Sequence, residues 1–101
     1  MIIRREFYIN GAWVAPATPR DCAVINPSNE EEVAIISLGD RADTDAAVAA
    51  AKAAFPGWAA TPPAERRAAV VRILEQYEAR KEELAQAISL EMGSPLKHAR
   101  E

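Results

Sequence analysis

One cysteine, one histidine and fifteen carboxylates are the reactive side chains of this 101-residue sequence. Nucleophilic catalysis needs a nucleophile, a base and a group that stabilises developing charge. Cys22 is the only thiol and stands beside Asp21 rather than a cation, so nothing local lowers its pKa and it reads as a structural cysteine. His98, in Lys97-His98-Ala99-Arg100, reads as a surface histidine. The four glycines, Gly11, Gly39, Gly57 and Gly93, are isolated and form neither a dinucleotide-binding nor a P-loop pattern, so no phosphate cradle is encoded. Glu30-Glu31-Glu32 reads as a solvated turn, because a calcium loop alternates its ligands and includes a glycine. The sequence therefore offers no catalytic and no cofactor-binding residue.

Glu91 is the carboxylate that invites chemistry. By helical phase it falls inside the apolar stripe of Ile73, Leu84 and Ile88, where a carboxylate is costly unless it is paired, hydrogen-bonded or metal-bound. It also lies in the last turn of a helix, where the macrodipole disfavours negative charge. The plainer reading is an edge-of-stripe glutamate that reaches water or an arginine.

The elements that position these residues fall into two regions. Residues 1–40 read as strands and turns. Asn10-Gly11, between Phe7–Ile9 and Ala12–Val14, is a hairpin signal, because both positions of a type I′ turn need positive φ. A second hairpin is expected between 22–25 and 33–38, across the turn cluster Asn26-Pro27-Ser28-Asn29. Residues 41–101 read as helices. Asp43 is expected to cap a helix over Thr44–Phe55 that Pro56-Gly57 stops. Thr61 is expected to cap a second helix with Pro62 at its first position. Arg80 and Lys81 interrupt the stripe of that helix, which predicts a break or kink within 78–83, and Gly93 ends it. The fold class is thus α+β, two short β-hairpins followed by α-helices.

Composition narrows the function. The net charge of −3 argues against a nucleic-acid partner, which needs a surplus of Lys and Arg. No apolar run approaches the roughly 20 residues that span a bilayer, so no membrane partner is expected. A lone cysteine excludes an internal disulfide and a cysteine zinc site, and with no secretory signal the chain is expected to be cytoplasmic.

Four pieces in order carry a resemblance: Ile25-Asn26-Pro27; Phe55-Pro56-Gly57-Trp58; Thr61-Pro62-Pro63-Ala64-Glu65-Arg66; and Leu90-Glu91-Met92-Gly93. From Phe7 onward the sequence resembles the N-terminal segment of the NAD(P)-dependent aldehyde dehydrogenase superfamily. It departs at Glu30, where many members place a glycine in the turn. The resemblance implies that residues 1–101 are the N-terminal part of an aldehyde-dehydrogenase-like α/β fold, with the nucleotide-binding core and the catalytic domain absent. It implies a parent oxidoreductase that oxidises an aldehyde to a carboxylic acid with NAD or NADP, and a chain that by itself holds no cofactor and is inert. Its expected partners are the remainder of the parent enzyme and, through helix faces left exposed, a second copy of itself. The end of the sequence, inside what reads as the start of another helix at Lys97–Glu101, favours a truncated segment over a free-standing α+β protein-interaction module. The resemblance also implies a monovalent cation site made by main-chain oxygens of Val24 and Ile25 and by Glu91.

Overall fold

Asn10 and Gly11 have φ of 54° and 77°, and they close the antiparallel pair β2 (Phe7–Ile9) and β3 (Ala12–Val14). This is the hairpin that the Asn-Gly pair predicts. Tyr8 and Trp13 face each other across it, with ring centroids 5.2 Å apart. The second expected hairpin is also present, as β4 (Asp21–Ile25) antiparallel to β5 (Glu32–Ser37). A strand that the sequence reading lacked, β1 (Ile2–Arg4), pairs parallel with β5, so the second sheet runs β1-β5-β4. Three residues are too few to display an alternation, which is why β1 escaped notice. As the central strand, β5 contributes the buried Ala34 and Ser37.

The computed structural model describes residues 1–101, in two compact units. The first comprises Met1–Ile25 and Glu32–Ala59, the second Asn26–Glu31 and Ala60–Glu101. In the first, α1 (Arg41–Ala60) follows β5. Its cap is not Asp43 alone. Asp40 Oδ1 accepts the Asp43 N–H at 3.2 Å, and Asp43 Oδ2 accepts the Asp40 N–H at 3.0 Å, a reciprocal capping box built one turn earlier than expected. Asp43 Oδ1 also accepts the Ala17 N–H at 2.9 Å, tying the 15–20 loop to the helix start. These main-chain donors, that of Asp40 first, hold the Asp43 carboxyl below the usual carboxylate range. The expected stop at Pro56-Gly57 does not occur, and α1 runs through Pro56 to Ala60. A proline removes one hydrogen bond, to the carbonyl of residue 52, and Lys52 is exposed, so water can serve that carbonyl.

In the second unit, α2 (Pro63–Met92) begins one residue later than expected, with Pro62 as its cap at φ −54° and ψ 143°. The reason is Pro63. A residue before proline is driven out of the α region, so Pro62 cannot be helical and Pro63 takes the first position. The predicted break within 78–83 is absent. Glu78 with Lys81 and Arg80 with Glu83 form i,i+3 pairs at 2.9 Å, and every residue there is compatible with a helix, so the gap in the apolar stripe leaves the backbone unbroken. Gly93 ends α2 as the sequence predicts, at φ 75°. α3 (Leu96–Ala99) follows, and Arg100 beyond it donates through Nε and Nη2 to both carboxylate oxygens of Glu82, at 2.9 and 2.7 Å.

Candidate functional site

Val24 and Ile25 lie on β4, an edge strand, so alternate main-chain carbonyls there point away from β5. The register slips between them: Val24 pairs with Ala34 but Ile25 with Glu32, leaving Val33 as the extra residue of a β-bulge. Hard oxygen donors of this kind suit Na⁺ or K⁺. Both residues belong to the first unit and Glu91 to the second. Glu91 occupies the last turn of α2, as expected, but it is exposed. The apolar burial that motivated suspicion is not there, because the whole stripe is open: Ile73 is 67% exposed and Leu84 47%. No three His, Cys, Asp or Glu side chains converge anywhere.

The other reactive groups lie on β4, in α3 and in the turn that follows β4. The Cys22 thiol is half-buried in β4, and its Sγ lies 3.6 Å from the Ala23 carbonyl. His98 is exposed, with Nδ1 3.5 Å from a Glu101 carboxylate oxygen. Glu31 and Asn29 hold each other in the turn after β4: Asn29 Nδ2 donates to Glu31 Oε2, and the Glu31 N–H donates to Asn29 Oδ1. Glu30 in that turn has φ 62°, the left-handed conformation for which a glycine is the natural choice, so its departure from the family pattern carries backbone strain.

The residues present do not fit a nucleotide phosphate. The strand–glycine–helix passage that could cradle one is β5, Gly39 and the start of α1. There the Asp40 and Asp43 carboxylates already sit at the helix N-terminus, and two like charges repel an incoming phosphate. What the surface offers is apolar. Only Ala34, at 7%, and Ala85, at 1% exposure, are buried hydrophobic residues, whereas twenty large apolar side chains are exposed. The sequence reading missed Arg66, whose Nε is buried without a hydrogen-bond acceptor. One arginine within the charged run Glu65-Arg66-Arg67 gives no sign of that in the sequence.

The aldehyde dehydrogenase family model matches residues 13–101. The chain belongs to that family. It is 45% identical over 92 residues to a 3-succinoylsemialdehyde-pyridine dehydrogenase of Pseudomonas, a match covering 91% of this chain and 19% of that protein. It is 52% identical to a crystallised aldehyde dehydrogenase of Bartonella henselae, with a TM-score of 0.95 over 98% of this chain and 21% of the other. With a mutant aldehyde dehydrogenase C of Pseudomonas syringae, crystallised with NAD⁺ and octanal, it shares 54% identity and a TM-score of 0.92, over 95% of this chain and 20% of the other. The chain thus spans about a fifth of the length of these relatives. These aldehyde dehydrogenases contain the same strands followed by helices, in agreement with the α+β reading. No helix of the chain is long and apolar enough to cross a membrane.

Proposed function

We propose that this aldehyde dehydrogenase chain serves as the N-terminal segment of an oxidoreductase that converts an aldehyde to the carboxylic acid, passing hydride to NAD or NADP. The observation that carries the reading is the family match from residue 13 to residue 101, on a chain that spans a fifth of its relatives. The exposed apolar surface supports it. A chain that buries so little by itself gains most from being covered. The remainder of the parent enzyme is the expected cover. Nucleotide binding and the reacting cysteine belong to that remainder, because the start of α1 is closed to phosphate by Asp40 and Asp43 and Cys22 lacks an activating neighbour.

The test is complementation. The chain alone, given an aldehyde and NAD or NADP, is expected to produce no reduced nucleotide. Co-expression with a family enzyme lacking the matching segment is expected to restore reduction at 340 nm. Turnover by the chain alone that is lost on Cys22→Ser, or no recovery in the mixture, would overturn the proposal.

A further inference from the structure

The sequence has three asparagines, Asn10, Asn26 and Asn29. An asparagine loses its side-chain amide when the main-chain nitrogen of the next residue attacks Cγ, and local structure decides where that happens. Asn26 is followed by Pro27, whose nitrogen carries no hydrogen to give up, and its Oδ1 accepts the Ser28 N–H at 2.9 Å. Asn29 is held at both side-chain atoms: Oδ1 accepts the Glu31 N–H at 3.1 Å, and Nδ2 donates to Glu31 Oε2 at 2.9 Å. Asn10 is exposed at the tip of the β2–β3 turn, and Gly11 after it has no side chain to hinder the approach. Neither the Asn10 side chain nor the Gly11 N–H is engaged in a hydrogen bond. We propose that Asn10 is a modification site, at which the Gly11 nitrogen closes a ring on Asn10 Cγ and the residue is converted to aspartate and isoaspartate.

The Gly11 nitrogen gives up its proton as its bond to Cγ forms. The Cγ–Nδ2 bond breaks, and Nδ2 leaves with a proton as ammonia. Water then opens the five-membered imide. Cleavage of the new bond to Cγ leaves aspartate. Cleavage of the bond to the main-chain carbonyl carbon leaves isoaspartate, with the chain running through Cγ. Nothing is oxidised or reduced, and the net change is one water taken up and one ammonia released. The φ values of 54° and 77° at Asn10 and Gly11 are those of a type I′ turn. Ring closure needs a different ψ at Asn10, so the hairpin must open first. β2 and β3 have three residues each and form a two-stranded sheet of their own, an arrangement that is marginal in water. The Tyr8–Trp13 pair, at 5.2 Å, helps to hold it closed. Isoaspartate puts one more main-chain carbon between positions 10 and 11. A two-residue turn has no place for that atom, so the Ile9–Ala12 register and the Tyr8–Trp13 pairing are lost. Aspartate keeps the chain length and tolerates the left-handed conformation, so it keeps the hairpin.

The experiment ages the 101-residue chain at about pH 8.5, where more of the attacking nitrogen is deprotonated. Cleavage after arginine separates Glu6–Arg20, which holds Asn10, from Asp21–Arg41, which holds Asn26 and Asn29. Against a zero-time digest, the first peptide is expected to gain about 1 Da at Asn10, as two isomers that separate by chromatography, roughly tenfold faster or more than any change in the second. Trp13→Ala, with helix content checked by circular dichroism, should speed the loss at Asn10 severalfold and leave the second peptide as it was. Asn10→Asp should keep the near-ultraviolet dichroism of the Tyr8–Trp13 pair, and the purified isoaspartate form should lose it. An Asn10 amide as durable as those of Asn26 and Asn29 overturns the proposal. So does a rate that Trp13→Ala fails to raise, or an isoaspartate form with the same aromatic signature as Asn10→Asp.

Discussion

The two long helices are held in different ways. α1 is fixed at its start by side chains, through the Asp40–Asp43 box and the reach of Asp43 to the Ala17 N–H, and it then carries a proline inside it. α2 starts on two prolines with no side-chain cap, is supported along its exposed surface by i,i+3 ion pairs, and is fixed at its end by Gly93. Proline shows the difference most plainly. At Pro63 the ring suits a first helical position, where the N–H needs no partner. At Pro56 it removes a bond from the interior, and the helix continues because the freed carbonyl side is wet.

The largest expected effect tests the end of α2. Gly93 has φ 75°, and a Cβ there would lie 2.9 Å from Pro27 Cγ. Gly93→Ala therefore meets both a left-handed backbone penalty and a clash, together about 2–4 kcal/mol, read as a lower midpoint in urea unfolding. Adding Pro27→Ala should return the part due to the clash and leave the backbone part. If the double variant is no more stable than Gly93→Ala, the approach of Pro27 contributes nothing.

The second effect tests the start of α1. Asp43→Ala removes the acceptor of two main-chain N–H groups, whereas Asp45→Ala removes only a surface partner of Arg41 at 3.8 Å. Asp43→Ala is expected to lower Tm distinctly and Asp45→Ala hardly at all. The same substitution should speed amide exchange at Ala17, a residue far from α1 in sequence. Equal Tm values would mean that the box does not anchor the helix.

What was legible in the sequence follows the same division between local and distant causes. The Asn10-Gly11 hairpin and the Gly93 stop were readable because each depends on the φ of its own residues. The second hairpin was readable from apolar runs on both sides of a turn. The start of α1 was misplaced because Asp40 and Asp43 act as a pair, and the start of α2 because Pro63 dictates the conformation of Pro62. The break expected within 78–83 came from treating a charged turn as a weak turn, when its ion pairs support the helix. Glu91 was placed correctly in the last turn of α2, but phase alone does not say whether a stripe is covered. The burial of Arg66 Nε arises from packing and has no sequence signature.

The smallest expected effect concerns the tie between α3 and α2. Hydrogen bonds from Arg100, and then from Gln86, lower the Glu82 carboxyl to about 2. In the unfolded chain the same group titrates near its ordinary 4.5. A carboxylate whose pKa is depressed by folding stabilises the folded state wherever the unfolded group would be ionised, so the contribution is complete above about 4.5. As acid is added it declines, and it is lost once the pH has fallen through about 2. Because both partners are exposed, solvent and salt screen the pair, and the effect should shrink as ionic strength rises. Carbon-detected NMR titration of the Glu82 carboxyl is the direct measurement. Arg100→Gln should move its midpoint upward and flatten the loss of stability between pH 4.5 and about 2, without changing stability differences in the neutral range by more than a surface pair allows. An unchanged Glu82 midpoint in that variant would show that Arg100 does not hold the carboxylate.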